Sequence, residues 1–209
     1  MFRNILRPDS ALMITMNQIT DCIFLSLFWL LGCLPVVTAG VSTAAMYDAV
    51  YHAFRKGEKH SWQRFAHAFR QNLKPGLVPG VLVLLAAAVL TRLGILVWNQ
   101  AVYGRVSWGV FAAAAFFLLV LLGIGSITFP LLSRFETGTA QLFSNTIRLG
   151  LANLPLSLGL ALVNAVVVFL CVRYVAPLFF LPALGALLST LFIEPMLKPY
   201  MPAQEDAAV

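Results

Sequence analysis

Histidine, cysteine and acidic residues, the side chains that most often carry out chemistry in proteins, are few and scattered in this sequence. The three histidines are His52, His60 and His67. If one helix ran through His60 and His67, their seven-residue spacing would separate them by about 10 Å, too far to share a metal ion. No H-E-x-x-H, G-x-S-x-G or phosphate-binding glycine motif is present. The sequence therefore predicts a protein that is not an enzyme and binds no metal ion or other cofactor.

Two ionisable residues, Asp21 and Arg92, lie inside long apolar stretches. Ionisable residues at membrane depth are costly and are usually paired or functional. If the two stretches are antiparallel helices, Asp21 and Arg92 reach a similar depth and form an ion pair. The alternative is that the long Arg92 side chain extends to the membrane surface on its own.

Glu194 and Asn164 are the other polar residues of interest within apolar segments. Glu194 has two candidate partners, Lys198 four residues later and Arg134 at the end of another apolar stretch. Asn164 is expected to form a hydrogen bond to a neighbouring helix, and a contact with a substrate is the less favoured alternative.

The segments that must hold these residues are strongly apolar. The chain has 209 residues, of which 60% are hydrophobic and 11% charged, and its mean hydropathy is +0.88. Soluble domains carry about 25% charged residues. This composition argues against a soluble enzyme, a disordered chain or a nucleic-acid-binding module, and it predicts a protein whose main partner is the lipid bilayer. The net charge of +6 is expected for a membrane protein whose cytoplasmic loops are rich in lysine and arginine.

Stretches of about 20 apolar residues can cross a bilayer as helices, since a helix satisfies its own backbone polar groups. We therefore predict an all-α membrane helix bundle, a single integral membrane domain over residues 1–209. It has about five spans, at residues 19–37, 77–97, 108–132, 154–172 and 175–197. A re-entrant first segment that breaks at Pro35 is an alternative, and it would change the side on which the N-terminus lies.

The distribution of lysine and arginine predicts the orientation of the spans. With five spans, nine of these residues fall on one side and five, including Arg3 and Arg7, on the other. The more basic side is expected to be cytoplasmic. In a bacterial plasma membrane this places the N-terminus outside and the C-terminus inside.

Two amphipathic segments, residues 44–74 and 139–151, are predicted on the cytoplasmic side. In the first, a helix starting at Ser61 has Trp62, Phe65 and Phe69 on one face and Arg70 on the other. Such a helix either lies in the membrane interface, held by anionic lipids, or packs beneath the bundle of its own protein. Both interpretations are open.

The segment around Pro35 is predicted to form a turn at the membrane surface. Proline ends or kinks a helix, so the first helix should stop near Pro35. Gly40 then permits the turn into the next helix. We interpret this segment as a structural corner.

Three stretches resemble the YesL family of small bacterial membrane proteins, whose domain has no known function. They are Leu34-Pro35-Val36-Val37-Thr38 with Gly40, the helix from Trp62 to Asn72, and Phe129-Pro130-Leu131-Leu132 followed by Arg134. Members of that family often appear alongside carbohydrate-uptake ABC transporters. The resemblance implies an accessory role in such uptake and supplies no catalytic residues.

Two functional hypotheses follow. The first is a non-enzymatic accessory or regulatory protein that contacts subunits of an ABC transporter through residues 61–74 and 139–151. The second is a small carrier or channel whose path is lined by Asn164, Arg92 and Asp21. The sequence indicates no substrate and no oligomeric state.

Overall fold

The computed structural model describes residues 11–58, 60–135, 138–174 and 176–200, with side chains from residue 18 to residue 199. Within these ranges the chain forms helices and no strand, which confirms the all-α prediction. The seven α-helices are α1 (Ala11–Cys33), α2 (Ala39–Arg55), α3 (Ser61–Val102), α4 (Trp108–Arg134), α5 (Thr139–Ala152), α6 (Leu154–Arg173) and α7 (Leu181–Leu197). Short 3-10 turns lie at Val36–Thr38, Ala176–Phe179 and Lys198–Tyr200.

Three helices of the described part are long and apolar enough to cross a membrane, namely α3, α4 and α6. They correspond to the second, third and fourth predicted spans. The apolar part of α1, Gln18–Cys33, and the whole of α7 are shorter. The connection between α6 and α7 is also longer than the predicted hairpin, because α7 begins only at Leu181.

The first two helices form a hairpin around Pro35. Helix α1 ends two residues before Pro35, as predicted. The Thr38 hydroxyl closes the turn, since its oxygen lies 2.7 and 2.8 Å from the carbonyl oxygens of Gly32 and Pro35, which share its single proton. The Ser42 hydroxyl donates to the Trp29 carbonyl at 3.0 Å. Helix α2 therefore returns alongside α1.

Helix α3 is a single element of 42 residues, about 63 Å long at 1.5 Å per residue. The second half of the amphipathic segment predicted to end at residue 74 and the span predicted from residue 77 therefore belong to one continuous helix. Pro75 and Pro79 lie inside this helix. Proline removes one backbone hydrogen bond, but the packing of Gly76 and Gly80 against other helices holds this part of α3 in place.

Gly40 lies within α2 and packs against α3, so its predicted role in a turn is wrong. A Cβ atom added to Gly40 would lie 2.5 Å from the Cα atom of Gly80. One added to Gly76 would meet Leu132 of α4 at 2.7 Å and Val41 of α2 at 3.3 Å. The absence of side chains at these positions allows α2, α3 and α4 to approach closely.

Helix α2 is the centre of the bundle. It is buried almost continuously from Gly40 to Val50, and many of its buried residues are small, including Ala44, Ala45 and Ala49. Ala45 and Val50 pack towards α1, α3 and α7, whereas Ala44 packs towards α4 and α7. The polar residues of α2 are consequently placed where several helices meet.

Beyond the bundle, α3 and α4 continue as an antiparallel pair, which we call the α3–α4 arm (residues 82–121). Most of its large apolar side chains are exposed. Trp98, Trp108 and Phe111 cluster near its tip, with ring centroids 5.4 to 6.1 Å apart. Tryptophan is enriched where membrane meets water, so a cluster of this kind is typical of the end of a membrane-spanning helix.

Candidate functional site

Arg134, the last residue of α4, forms a two-pronged ion pair with Glu194 of α7. Its Nη2 atom lies 2.6 Å from Oε1 of Glu194, and its Nη1 atom lies 3.4 Å from Oε2. The two side chains are 13% and 23% exposed. Of the two partners that the sequence offered to Glu194, the structure selects Arg134, and Lys198 lies exposed in the turn after α7.

Two tyrosines of α2 complete the surroundings of this pair. The Tyr47 hydroxyl donates to Oε1 of Glu194 at 3.0 Å. The guanidinium carbon of Arg134 lies 4.0 Å from the ring centroid of Tyr51 and 5.8 Å from that of Tyr47. Burial raises the pKa of the Tyr47 phenol, and the nearby positive charge of Arg134 opposes this only in part. Tyr47 therefore remains protonated and able to donate.

Sequence reasoning missed both tyrosines. The available signal is the spacing of four residues between Tyr47 and Tyr51, which places both side chains on one face of a helix. In the folded chain this face lies next to Arg134.

A second charged cluster joins α2 to α3. Nε of Arg64 lies 2.7 Å from Oδ2 of Asp48, and its Nη2 atom lies 3.1 Å from Nε2 of His52. Because a guanidinium only donates hydrogen bonds, Nε2 accepts, and the proton of a neutral imidazole is assigned to Nδ1. That atom lies 2.9 Å from the Asp48 carbonyl oxygen, which accepts from it.

The pKa of the Asp48 carboxyl reflects two opposing effects. Burial raises it. The His52 ring, whose Nδ1 atom also lies 3.3 Å from Oδ1 of Asp48, and the Arg64 guanidinium lower it, and their effect prevails. Asp48 is therefore ionised at neutral pH and holds Arg64 against α2.

Asp21 contacts the start of α3 and not Arg92. The Ser61 hydroxyl donates to Oδ1 of Asp21 at 2.7 Å. Arg92 lies 31 residues beyond Ser61 on the same helix, about 46 Å away, and it is exposed. The predicted Asp21–Arg92 ion pair is therefore wrong, because α1 contacts the opposite half of α3.

The same contact bears on the orientation of the chain. A first span with an external N-terminus would separate Asp21 from Ser61 by the thickness of the membrane, whereas the two side chains are hydrogen-bonded. The arrangement instead agrees with the alternative of a re-entrant segment broken at Pro35. The N-terminal region, with Arg3 and Arg7, lies outside the described residues.

The apolar face of the predicted amphipathic helix is packed within the protein. The Phe65 ring is buried, and its centroid lies 6.1 Å from those of Phe28 in α1 and Phe69 one turn later. Of the two interpretations, the structure shows packing beneath the bundle for these residues. Trp62 and Arg70 are exposed.

The Asn164 side chain, near the middle of α6, forms no hydrogen bond with any residue that the structure describes. The predicted interhelical hydrogen bond is therefore not formed. Asn164 lines a cavity between helices. Asp21 of α1 contacts the start of α3, and Arg92 lies on the exposed arm. The three residues predicted to line a transport path are not brought together.

The charged residues act as links between helices. Asp21 joins α1 to α3, Asp48 joins α2 to α3, and Glu194 joins α7 to α2 and α4. These are all the acidic residues in helices whose side chains are described. Among the described residues, no three His, Cys, Asp or Glu side chains form a group able to hold a metal ion.

Comparison with known protein families gives a match over part of the chain. Residues 22–92 match the model of a family described as "Protein of unknown function, DUF624". No curated protein and no solved structure matches the chain. The matched segment is about a third of the chain and runs from Cys22 in α1, through α2, to Arg92 in α3. It includes the hairpin at Pro35 and the Asp48–Arg64 cluster, and it is similar to a protein family whose function is unknown.

Proposed function

We propose that this chain is a multi-pass protein of the bacterial plasma membrane that acts, without enzymatic activity, as an accessory or regulatory component of a transport complex. The observation that carries this proposal is the use of the acidic residues in the described helices. Asp21, Asp48 and Glu194 each bind a residue of another helix, so these carboxylates hold the bundle together and are not free for acid–base chemistry.

The boundaries of α3 and α4 support a placement across the bilayer. Lys74 and Trp98 are 24 residues apart on α3, about 36 Å, slightly more than the roughly 30 Å of a hydrocarbon core. Arg92 lies about 9 Å from Trp98 and extends its charge towards that boundary. Arg134 marks the other boundary, on the side of Lys74.

The hairpin of α1 and α2 enters the bilayer from the Lys74 side. The apolar side chains at its tip are exposed, Leu34 to 75% and Val36 to 74%. Gly40, just behind the tip, contacts Gly80, six residues beyond Lys74 on α3. The tip therefore reaches into one leaflet and returns.

With a re-entrant hairpin, the N-terminus lies on the same side as Ser61. Arg3 and Arg7 then change sides, and the distribution of lysine and arginine changes from nine and five to eleven and three. This stronger asymmetry favours a cytoplasmic N-terminus, with the C-terminus also cytoplasmic.

The contact surface for a partner lies on the cytoplasmic helices. Helix α5 buries Leu142 and Leu149 against the bundle, whereas Ile147 and Leu151 are half-exposed beside Arg148. On α3, Trp62 and Arg70 likewise provide an exposed apolar side chain and an exposed arginine. The resemblance to the YesL family supports a subunit of a carbohydrate-uptake ABC transporter as the partner.

Co-purification from native membranes in mild detergent tests this proposal. We expect transporter subunits to be recovered with the wild-type protein and lost with the Ile147→Ala/Leu151→Ala variant. Leu93→Ala/Leu96→Ala is the matched control, because these side chains are similarly exposed but lie on the arm. Failure to recover any transporter subunit, together with unchanged sugar uptake in a deletion strain, would refute the proposal. Sugar flux into proteoliposomes containing this protein alone would favour the carrier instead.

A further inference from the structure

A cavity of about 450 Å³ lies among α1, α2, α4, α6 and α7. Its size falls within the range of small-molecule sites, about 300–1,000 Å³. Most of its wall is apolar and comes from Trp29, Phe129, Val167, Pro182, Ala186 and Ile193. Because α4 and α6 are of membrane-spanning length, the cavity lies within the bilayer.

The polar side chains in the wall differ in whether they already have a partner. Thr43, Ser126 and Ser189 donate their hydroxyl protons to carbonyls of their own helices, at 2.8 to 2.9 Å. Tyr47 donates to Glu194. The Asn164 amide alone, among the described side chains that line the cavity with a nitrogen or oxygen atom, makes no hydrogen bond. In an apolar environment such an amide needs a partner.

The cavity opens towards the lipid along α6. Val168 and Val172 line it and are 60% and 83% exposed. Its other side lies close to the Arg134 boundary, since Pro130 in its wall is one helical turn from Arg134. A molecule can therefore enter the cavity sideways from the bilayer, on the side of Val168 and Val172.

The geometry points to a binding site for an acyl-chain amphiphile, whose chain fills the apolar part and whose carbonyl oxygen accepts a hydrogen bond from the Asn164 amide. A diacyl membrane lipid and a free fatty acid share this chemistry. The site goes beyond the accessory role proposed above and does not depend on it.

Trp29 provides a reporter inside the cavity. It is held there by its indole N–H, which donates to the Thr43 hydroxyl at 3.2 Å. A protein with Trp62→Phe, Trp98→Phe and Trp108→Phe contains only this tryptophan. We expect a phospholipid or a fatty acid with brominated acyl chains, titrated into the detergent-solubilised protein, to quench Trp29 fluorescence, and the more effective of the two identifies the source. A protein that retains only Trp108 is the positive control. If both brominated compounds quench Trp108 and neither changes Trp29 fluorescence, the proposal is overturned.

Three substitutions in the Trp29-only protein show whether the quencher occupies the cavity. Ala186→Phe fills the space and is expected to abolish saturable quenching. Asn164→Leu removes one hydrogen bond and is expected to raise the half-saturating concentration about 5- to 10-fold. Leu162→Phe, on the exposed side of α6, is expected to have no effect. Equal quenching in all three variants would place the acyl chain outside the cavity and refute the site.

Discussion

Arg134 shows why residue type, and not sequence spacing alone, decides which ion pair forms. A guanidinium is planar, donates two parallel hydrogen bonds to a carboxylate and stacks on aromatic rings. The Arg134 side chain does both, with Glu194 and with Tyr51. The Lys198 ammonium has no planar fork of this kind, although it lies four residues from Glu194.

A double-mutant cycle tests this pairing. We expect Arg134→Ala and Glu194→Ala to be non-additive in the free energy of unfolding in detergent, with a coupling of about 1–3 kcal/mol, because either substitution leaves a poorly solvated charge unpaired. The matched cycle of Lys198→Ala with Glu194→Ala is expected to be additive. Coupling to Lys198 and none to Arg134 would contradict the structure.

Asp48 makes the stability of the folded protein depend on pH. Its pKa is lower in the folded protein than the value of about 3.9 expected in an unfolded chain. The folded state therefore favours the ionised carboxylate, which stabilises the protein above pH 4 and loses this effect as the pH falls through the folded-state pKa.

We accordingly expect Asp48→Asn to lower the thermal unfolding temperature at pH 7 and to have progressively less effect below pH 4. Thermal unfolding in detergent as a function of pH measures this difference. A loss of equal size at pH 7 and at low pH would show that the carboxylate charge does not contribute.

At the scale of elements, glycine contacts determine how closely the hairpin and α3 pack. The Gly40–Gly80 contact leaves no room for a side chain. Apolar residues alone give little preference for one helix pairing in lipid, since lipid tails are equally apolar. Close backbone approach supplies that preference.

Gly40→Ala tests this contact. The added methyl group would force α2 and α3 apart, and we expect a loss of about 1–3 kcal/mol in the free energy of unfolding. Gly109→Ala serves as the control, because a Cβ atom there meets nothing within 4 Å and alanine favours a helix. If both substitutions are equally tolerated in thermal unfolding experiments, the close approach is not required.

For the whole molecule, the proposed re-entrant hairpin would put Asp21, Asp48 and Ser61 on one side of the membrane. The middle of α1, the second half of α2 and the start of α3 meet around Asp21, Asp48 and Ser61. This region and the Arg134–Glu194 pair are joined through α2. These two charged clusters therefore lie at one end of the bundle, and the α3–α4 arm extends in the other direction.

Thiol labelling in intact cells tests this topology. In a protein with Cys22, Cys33 and Cys171 replaced by alanine, we expect Gln18→Cys and Glu58→Cys to be protected from a membrane-impermeant reagent, because both face the cytoplasm. Tyr103→Cys, near the tip of the arm, is expected to react. If Gln18→Cys reacts and Glu58→Cys is protected, the result would support an external N-terminus and contradict the re-entrant hairpin.

The sequence by itself determined the all-α class, the three long spans and the end of α1 near Pro35, because hydropathy and proline chemistry act locally along the chain. It also reduced the partners of Glu194 to two. The tertiary structure decided which partner pairs with it, that Asp21 bonds Ser61 and not Arg92, and that Gly40 packs on Gly80. It also revealed the Tyr47–Tyr51 face and the unpaired Asn164. These features depend on which helices are neighbours and at what height, and that choice is made by long-range packing that no local pattern encodes.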